Sequence, residues 1–336
     1  LQTCGRVENP QIDGKSSNVN LGLQPFNNSY TTFIPSLPVS KTFNSTQTFK
    51  LSYTKRIQRP SLQFLNPFIN QANIQNQSQG NPGLSPEVSQ TVELNFNTYI
   101  KSSVINTSIF YKYTNRIIES LINPKLVTVP AAGGGTQDIY VNRTTYANIG
   151  TNKSFGASFF GSVTPIEPLT IRGSITAYTY HPEAEGQFAA QQTSNGTYFQ
   201  YNAFLGGSLT LKGGFTAETF AILNSPRRTI QGKNPSFGFI GFGVRKEMMK
   251  KRASIGFNTL SPFKETIDFD QDIVGKHFVQ TNHTAFPFRS FGLTFSYNFG
   301  KLTAKPDNPL QQKKGLNDDL KQGDQNGAGG GVSGPR

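Results

Sequence analysis

Three aspartates alternate along one stretch near the end of the chain, Asp268, Asp270 and Asp272, with Glu265 before them and His277 and His283 after. Oxygen ligands at every second position could open a calcium loop, since a hard cation takes several carboxylate and carbonyl oxygens at once. The glycine such a loop needs at its sixth position is Ile273 here, and no glutamate closes the ring, so a solvated acidic loop is expected, with a cation site as the competing reading. A second charged run, RKEMMKKR at 245–252, places five basic residues in eight. It reads as a solvated turn, or as a turn that meets anionic lipid headgroups. Covalent or acid–base catalysis finds little material: His181, His277 and His283 fall in long polar stretches, and no G-x-S-x-G, H-E-x-x-H or phosphate-loop pattern occurs. The single cysteine, Cys4, excludes a disulfide framework and a cysteine-built metal site. Neither an enzyme nor a cofactor is expected.

The elements that would position these residues are strands. Of 336 residues, 35% are hydrophobic and only 15% charged, yet 28 are Phe and 12 are Tyr. Disordered chains combine low hydrophobicity with high charge and few aromatics, so something orders these rings. Period-2 alternation runs through most of the chain. Over 168–180, Leu169, Ile171, Gly173, Ile175 and Ala177 share one face, against Thr170, Arg172, Ser174, Thr176 and Tyr178 on the other. The same scheme covers 46–57, 103–114, 198–212, 251–260 and 288–299, with less certain strands near 16–24 and 30–41, about a dozen in all. These segments match the roughly 9–11 residues with which a tilted strand crosses a bilayer, and no run reaches the ~18 apolar residues of a membrane helix.

Connection lengths alternate as well. Short turns are expected near Asn44 and Ser45, Ser102 and Ser103, Thr164 to Glu167, Gly213 and Gly214, and Met248 to Lys250. Long loops are expected at 58–86, 117–150, 181–196, 225–235 and 262–287. Short turns at one end and long loops at the other describe an outer-membrane barrel with its turns in the periplasm. In hydrocarbon every backbone donor and acceptor must be paired, so a sheet survives there only when closed, with lipid outside and water inside. The fold expected is therefore all-β, an antiparallel transmembrane β-barrel over 1–299 in the outer membrane, followed by a flexible periplasmic tail over 300–336. The +13 formal charge (32 Lys+Arg less 19 Asp+Glu) is spread over turns and loops, which argues against nucleic acid as a partner.

Four segments carry a resemblance. Residues 51–68, LSYTKRIQRPSLQFLNPF, 80–87, GNPGLSPE, 146–150, YANIG, and 289–299, RSFGLTFSYNF, resemble the C-terminal barrel half of TonB-dependent outer-membrane receptors of Bacteroidota type. In the last segment, Gly292, Phe295, Tyr297 and Phe299 are similar to the terminal strand that barrel-assembly machinery recognises. The resemblance implies nutrient uptake, an unknown nutrient ligand caught by outer loops, and coupling to the TonB complex through a plug domain that these residues do not include. It implies about 22 strands in a full receptor, so the chain is expected to be a C-terminal portion, unless strands near 16–24 and 288–299 pair directly into a small barrel. Pro82 and Pro86 remove donors and favour extended backbone, so a structural role suffices for GNPGLSPE. A non-transport barrel used for adhesion, structure or secretion, and a soluble secreted β-domain, are the alternatives.

Overall fold

A computed structural model describes residues 3–14, 26–131, 133–193, 196–276, 278–299 and 320–321. The strand expected near 16–24, His277 and all of the expected tail except 320–321 lie outside the described residues. The strands are β1 (Cys4–Glu8), β2 (Gln11–Gly14), β3 (Phe26–Ser29), β4 (Thr32–Asn44), β5 (Gln47–Pro60), β6 (Ile69–Asn70), β7 (Asn76–Gln79), β8 (Glu87–Ile100), β9 (Ser103–Pro130) and β10 (Thr136–Ile166). They continue as β11 (Leu169–Ala184), β12 (Tyr198–Leu211), β13 (Phe215–Asn224), β14 (Arg228–Thr229), β15 (Gly232–Lys233), β16 (Phe237–Met248), β17 (Ala253–Leu260), β18 (Thr266–Gly275), β19 (Phe278–Pro287), β20 (Ser290–Tyr297) and β21 (Leu320–Lys321). One α-helical turn, α1 (Leu62–Leu65), is capped by Ser61, a 3-10 turn spans Gly186–Gln191, and no described helix is long and apolar enough to cross a membrane.

The wall is one antiparallel path, β1-β4-β5-β8-β9-β10-β11-β12-β13-β16-β17-β20. Register turns the one-strand alternation into two continuous rows. Val39, Leu51, Leu94, Ile109, Ala157, Ala177 and Tyr201 stand opposite one another across seven strands. One residue along, Ser40, Lys50, Asn95, Ser108, Ser158, Thr176, Asn202 and Asn224 do the same. The apolar row is left bare, with Val39, Leu51, Leu94, Ile109 and Tyr201 all exposed. The polar row bonds to itself, Ser108 Oγ to Ser158 Oγ at 2.7 Å and Asn202 Nδ2 donating to Asn224 Oδ1 at 2.6 Å. A bare apolar face and a self-satisfied polar face are what lipid outside and water inside require of one sheet.

Each of the five short turns falls where the alternation ends. In the first, Asn44 Oδ1 accepts from the amides of Thr46 and Gln47 at 3.1 and 2.8 Å, the local bonding that makes Asn a turn residue. Gly213 and Gly214 supply the positive φ of the turn between β12 and β13.

The long loops are a different matter, and here the sequence reading needs correction. Residues 117–150 do not form a loop: β9 and β10 run 28 and 31 residues, far beyond the ~10 that cross a bilayer. The segment 262–287 is likewise a hairpin, β18 with β19, and it joins β14 and β15 in a separate four-stranded sheet. The alternation over 103–150 looks broken because the strands carry a bulge. Arg116 takes φ +57, and the register of β10 slips on either side of Gly150. One extra residue in a strand exchanges its two faces. Below the bulge, Phe110, Lys112 and Thr114 face the interior, and above it Ile117 does, so parity changes from even to odd. Gly150 is required there: with φ +154, a Cβ would lie 2.0 Å from the Glu183 carbonyl oxygen.

Candidate functional site

The face exchange gives the loop end what the wall lacks, a conventional buried core. Ile117, Leu121, Ala147 and Ile149 pack with Ile230, while Phe64, Leu65, Leu84 and Ile118 form a second cluster with Ile12 and Tyr146 against it. Three of the four segments that carried the resemblance meet in this dome. Phe64 of the first stacks on Tyr146 of the third at 4.1 Å between centroids. Asn81 of the second donates from Nδ2 to the Tyr146 carbonyl at 3.0 Å, and Asn148 exchanges bonds with the Ser85 backbone, both at 2.9 Å. Gly80 lies so close to the Phe64–Asn66 backbone that a Cβ would approach the Asn66 oxygen to 2.4 Å. Leu84 and Pro86 are buried, which supports the structural role expected of GNPGLSPE.

Two buried carboxylates fasten the dome. The β8–β9 ladder ends at Val88 opposite Asn115, and β9 continues paired with β10 only, so the amides on its other edge need other acceptors. Glu87 Oε1 takes the amide of Ile118 at 2.6 Å. Glu119, 4% exposed, accepts from Tyr180 Oη at 2.9 Å through Oε1 and from the Ile230 amide at 2.9 Å through Oε2. Beside it, Gln231 Oε1 accepts from the Ile122 amide at 2.9 Å, the Ile230 carbonyl accepts from the Thr193 amide at 2.9 Å, and the Gln231 carbonyl accepts from the Val274 amide at 2.6 Å. Residues 225–235, read from the sequence as a polar loop, are therefore a strap tying four parts of the dome together. Its only sequence signal is one isoleucine among polar residues.

Beneath the dome lies a polar cavity of about 490 Å³ on the interior face, walled by Lys112, Thr114, Asn152, Ser154, Tyr178 and Gln200 among others. Gly156 makes room for the Phe110 ring, since a Cβ there would come within 2.5 Å of that ring and 2.6 Å of Tyr178 Cβ. Gln200 is 4% exposed; its Oε1 accepts from Tyr178 Oη at 2.9 Å, whereas its Nε2 is buried without an acceptor.

The acidic residues singled out in the sequence sit elsewhere. Asp268, Asp270 and Asp272 occupy one face of β18, spaced about 7 Å apart along the strand. Asp272 pairs with Lys233 Nζ at 3.1 Å, and Asp270 Oδ1 with His283 Nδ1 at 2.5 Å. Among the described residues no group of three or more His, Cys, Asp or Glu could hold a metal ion. The Asp270 carboxylate, by hydrogen bond and charge and with Asp268 behind it, raises the His283 pKa above its ordinary value. A raised pKa means that the pair is fully formed below about pH 6.5 and is lost as pH climbs through the higher value. Imidazole titration by NMR is expected to place His283 above ~6.5 in the parent and to return it toward ~6.5 in Asp270→Asn; equal midpoints would contradict the pairing. His181 lies between Glu183 Oε1, 3.3 Å from its Nε2, and Thr197 Oγ1, 3.0 Å from its Nδ1. Gly292, Phe295 and Tyr297 lie on β20, with Phe299 just beyond it and edge-on to Tyr297 at 4.7 Å.

Comparison with known proteins follows this architecture. A family model described as "Outer membrane protein beta-barrel family" matches residues 1–297. No curated protein sequence matches the chain. Among solved structures, the copper transporter OprC superposes with a TM-score of 0.52 at 11% identity, over 81% of this chain and 40% of that one. The ferric enterobactin receptor PfeA, a Pseudomonas aeruginosa protein, in complex with BCV-L6 gives 0.51 at 15% identity, over 82% and 42%. The siderophore receptor PirA of Acinetobacter baumannii gives 0.50 at 13%, also over 82% and 42%. The chain thus spans about two fifths of the solved structures it matches, and at these identities the likeness is one of fold.

Proposed function

Since the chain belongs to the outer membrane protein beta-barrel family and resides in the outer membrane, we propose that it forms the wall and ligand-gathering loop end of a TonB-dependent receptor for a scarce nutrient. The observation that carries this reading is the polar cavity beneath a packed dome, lined by Lys112, Thr114, Asn152, Ser154, Tyr178 and Gln200. The neighbours with the same fold are receptors and a transporter by name, which favours uptake of a metal or a metal chelate over other cargo. Energy coupling through a plug domain and the TonB complex, a Bacteroidota-type host, and recognition of β20 through Gly292, Phe295, Tyr297 and Phe299 by the barrel-assembly machinery belong to the same proposal.

The test is competitive growth of a deletion strain against its parent, in media limited in turn for copper, for iron supplied as a ferric siderophore, and for a glycan as carbon source. A deficit confined to one condition, with uptake of that labelled nutrient abolished by collapsing the proton-motive force, supports the receptor. Equal fitness and uptake in every medium, with reduced surface attachment, would replace it with the adhesion reading. The exposed Leu126 and Tyr140 on the far ends of β9 and β10 would then be the natural contact surface.

A further inference from the structure

The turn end of the barrel carries a feature that uptake does not use. The outward row Leu211, Phe215, Lys246, Ile255, Phe295 is apolar except for one lysine. Lys246 Nζ lies 4.6 Å from the centroid of Phe215. The arrangement recurs at the other side of the wall, where outward Lys41, opposite Phe49, lies 5.1 Å from the centroid of Phe43. A lysine among lipid-facing residues costs about 2–4 kcal/mol at mid-membrane and about 0–1 near an interface, where its stem lies on apolar surface and its head reaches out. Both lysines therefore mark the level of the headgroups at the turn end.

Just beyond Lys246, the exposed residues Met249, Lys250, Lys251 and Arg252 form the turn between β16 and β17. Met249, Lys250 and Lys251 all take positive φ, at 52°, 54° and 68°. Left-handed backbone costs a side-chain-bearing residue roughly 1–2 kcal/mol, so a solvated turn free to choose its residues would use Gly or Asn here. The one acid of this run, Glu247, is partly buried and pairs with Arg245 at 3.4 Å on the inner face. Outside, four cations within seven residues face the headgroup level beside an exposed methionine, and among the described residues the one acid in the five short turns is Glu167, on another hairpin.

We propose that Lys246, Lys250, Lys251 and Arg252, with Met249 as an apolar foot, form a binding site for anionic glycerophospholipid headgroups of the phosphatidylglycerol type in the leaflet at the turn end. A zwitterionic headgroup carries its own ammonium beside the phosphate and leaves four cations uncompensated, whereas a net negative headgroup balances them. Lys41 marks the same level on β4, and the inference stands whatever the receptor imports.

The full chain, reconstituted into nanodiscs of phosphatidylethanolamine and phosphatidylglycerol, tests this through the composition of retained lipid measured by native mass spectrometry. The parent is expected to enrich phosphatidylglycerol over the bulk mixture. The variant K246Q/K250Q/K251Q/R252Q is expected to lose at least fivefold of that enrichment, one cation near a charged surface alone being worth about fivefold. Added salt should weaken the parent's enrichment. Loop-end K125Q/K264Q should leave it unchanged. Equal enrichment in parent and quadruple variant, or an equal fall in the loop-end control, would overturn the proposal. Should the quadruple variant fail to assemble, K41Q/K246Q leaves the turn intact and is expected to lower enrichment by a smaller factor; no change there would overturn it equally.

Discussion

Replacing Glu119 by leucine is expected to open the dome, destabilising it by about 3 kcal/mol or more. Two buried donors, Tyr180 Oη and the Ile230 amide, each lose an acceptor 2.9 Å away, and each orphaned donor costs roughly 1–3 kcal/mol. Leucine has a similar volume, so the loss comes from polarity rather than from a cavity. Glu119→Gln keeps one oxygen and should fall between leucine and the parent. Ile230 is fully buried, and its strap meets β9, Thr193 and Val274, so the damage should spread through the loop end and leave the wall in place. Hydrogen exchange at the Ile230 amide is expected to accelerate by at least a hundredfold, with new protease cleavage within 225–235 and an unchanged strand signal by circular dichroism. Parental exchange at Ile230 in the leucine variant would refute the role given to Glu119.

Arginine at Leu205 should cost about 2–4 kcal/mol, the penalty for a cation on the lipid face near mid-membrane. Leu205 is midway along β12, 59% exposed, and stands opposite Gly173 and Ala221 on the bare face. Ser208 lies on the opposite face of the same strand and directly across from Glu218. Ser208→Arg should therefore be nearly neutral, since its charge enters water beside a carboxylate. Urea titrations in lipid vesicles can measure both. Equal losses for the two variants would mean that the assignment of inner and outer faces is wrong.

Much of the wall was legible in the sequence, and the loop end was not. In β12, Phe199, Tyr201, Leu205, Leu209 and Leu211 alternate with Gln200, Asn202, Ser208 and Thr210, and a strand with lipid on one side and water on the other requires that period. The five short turns were visible for the same reason, since alternation stops where the strand leaves the bilayer. The strands over 117–150 were hidden by the bulge at Arg116 and Gly150. It exchanges the faces, so Ile117 and Leu121 continue inward what Phe110, Lys112 and Thr114 began at the other parity. The alternation over 266–275 was present, but its three aspartates read as a solvated acidic loop rather than as a strand. Two of them have partners on other strands, Asp272 with Lys233 and Asp270 with His283.

Local pattern determined what each residue of the wall faces, because a bilayer imposes one environment per side along the whole length of a strand. It determined the class of fold, the placement of the short turns and the low total hydrophobicity in the same stroke. Only the tertiary structure decided that RIQRPSLQFLNPF, GNPGLSPE and YANIG meet in one dome, that Glu119 reaches Ile230 across 111 residues of chain, and that a polar cavity lies beneath them. Contacts of that separation depend on strand register and on a single inserted residue. Neither leaves a period in the sequence.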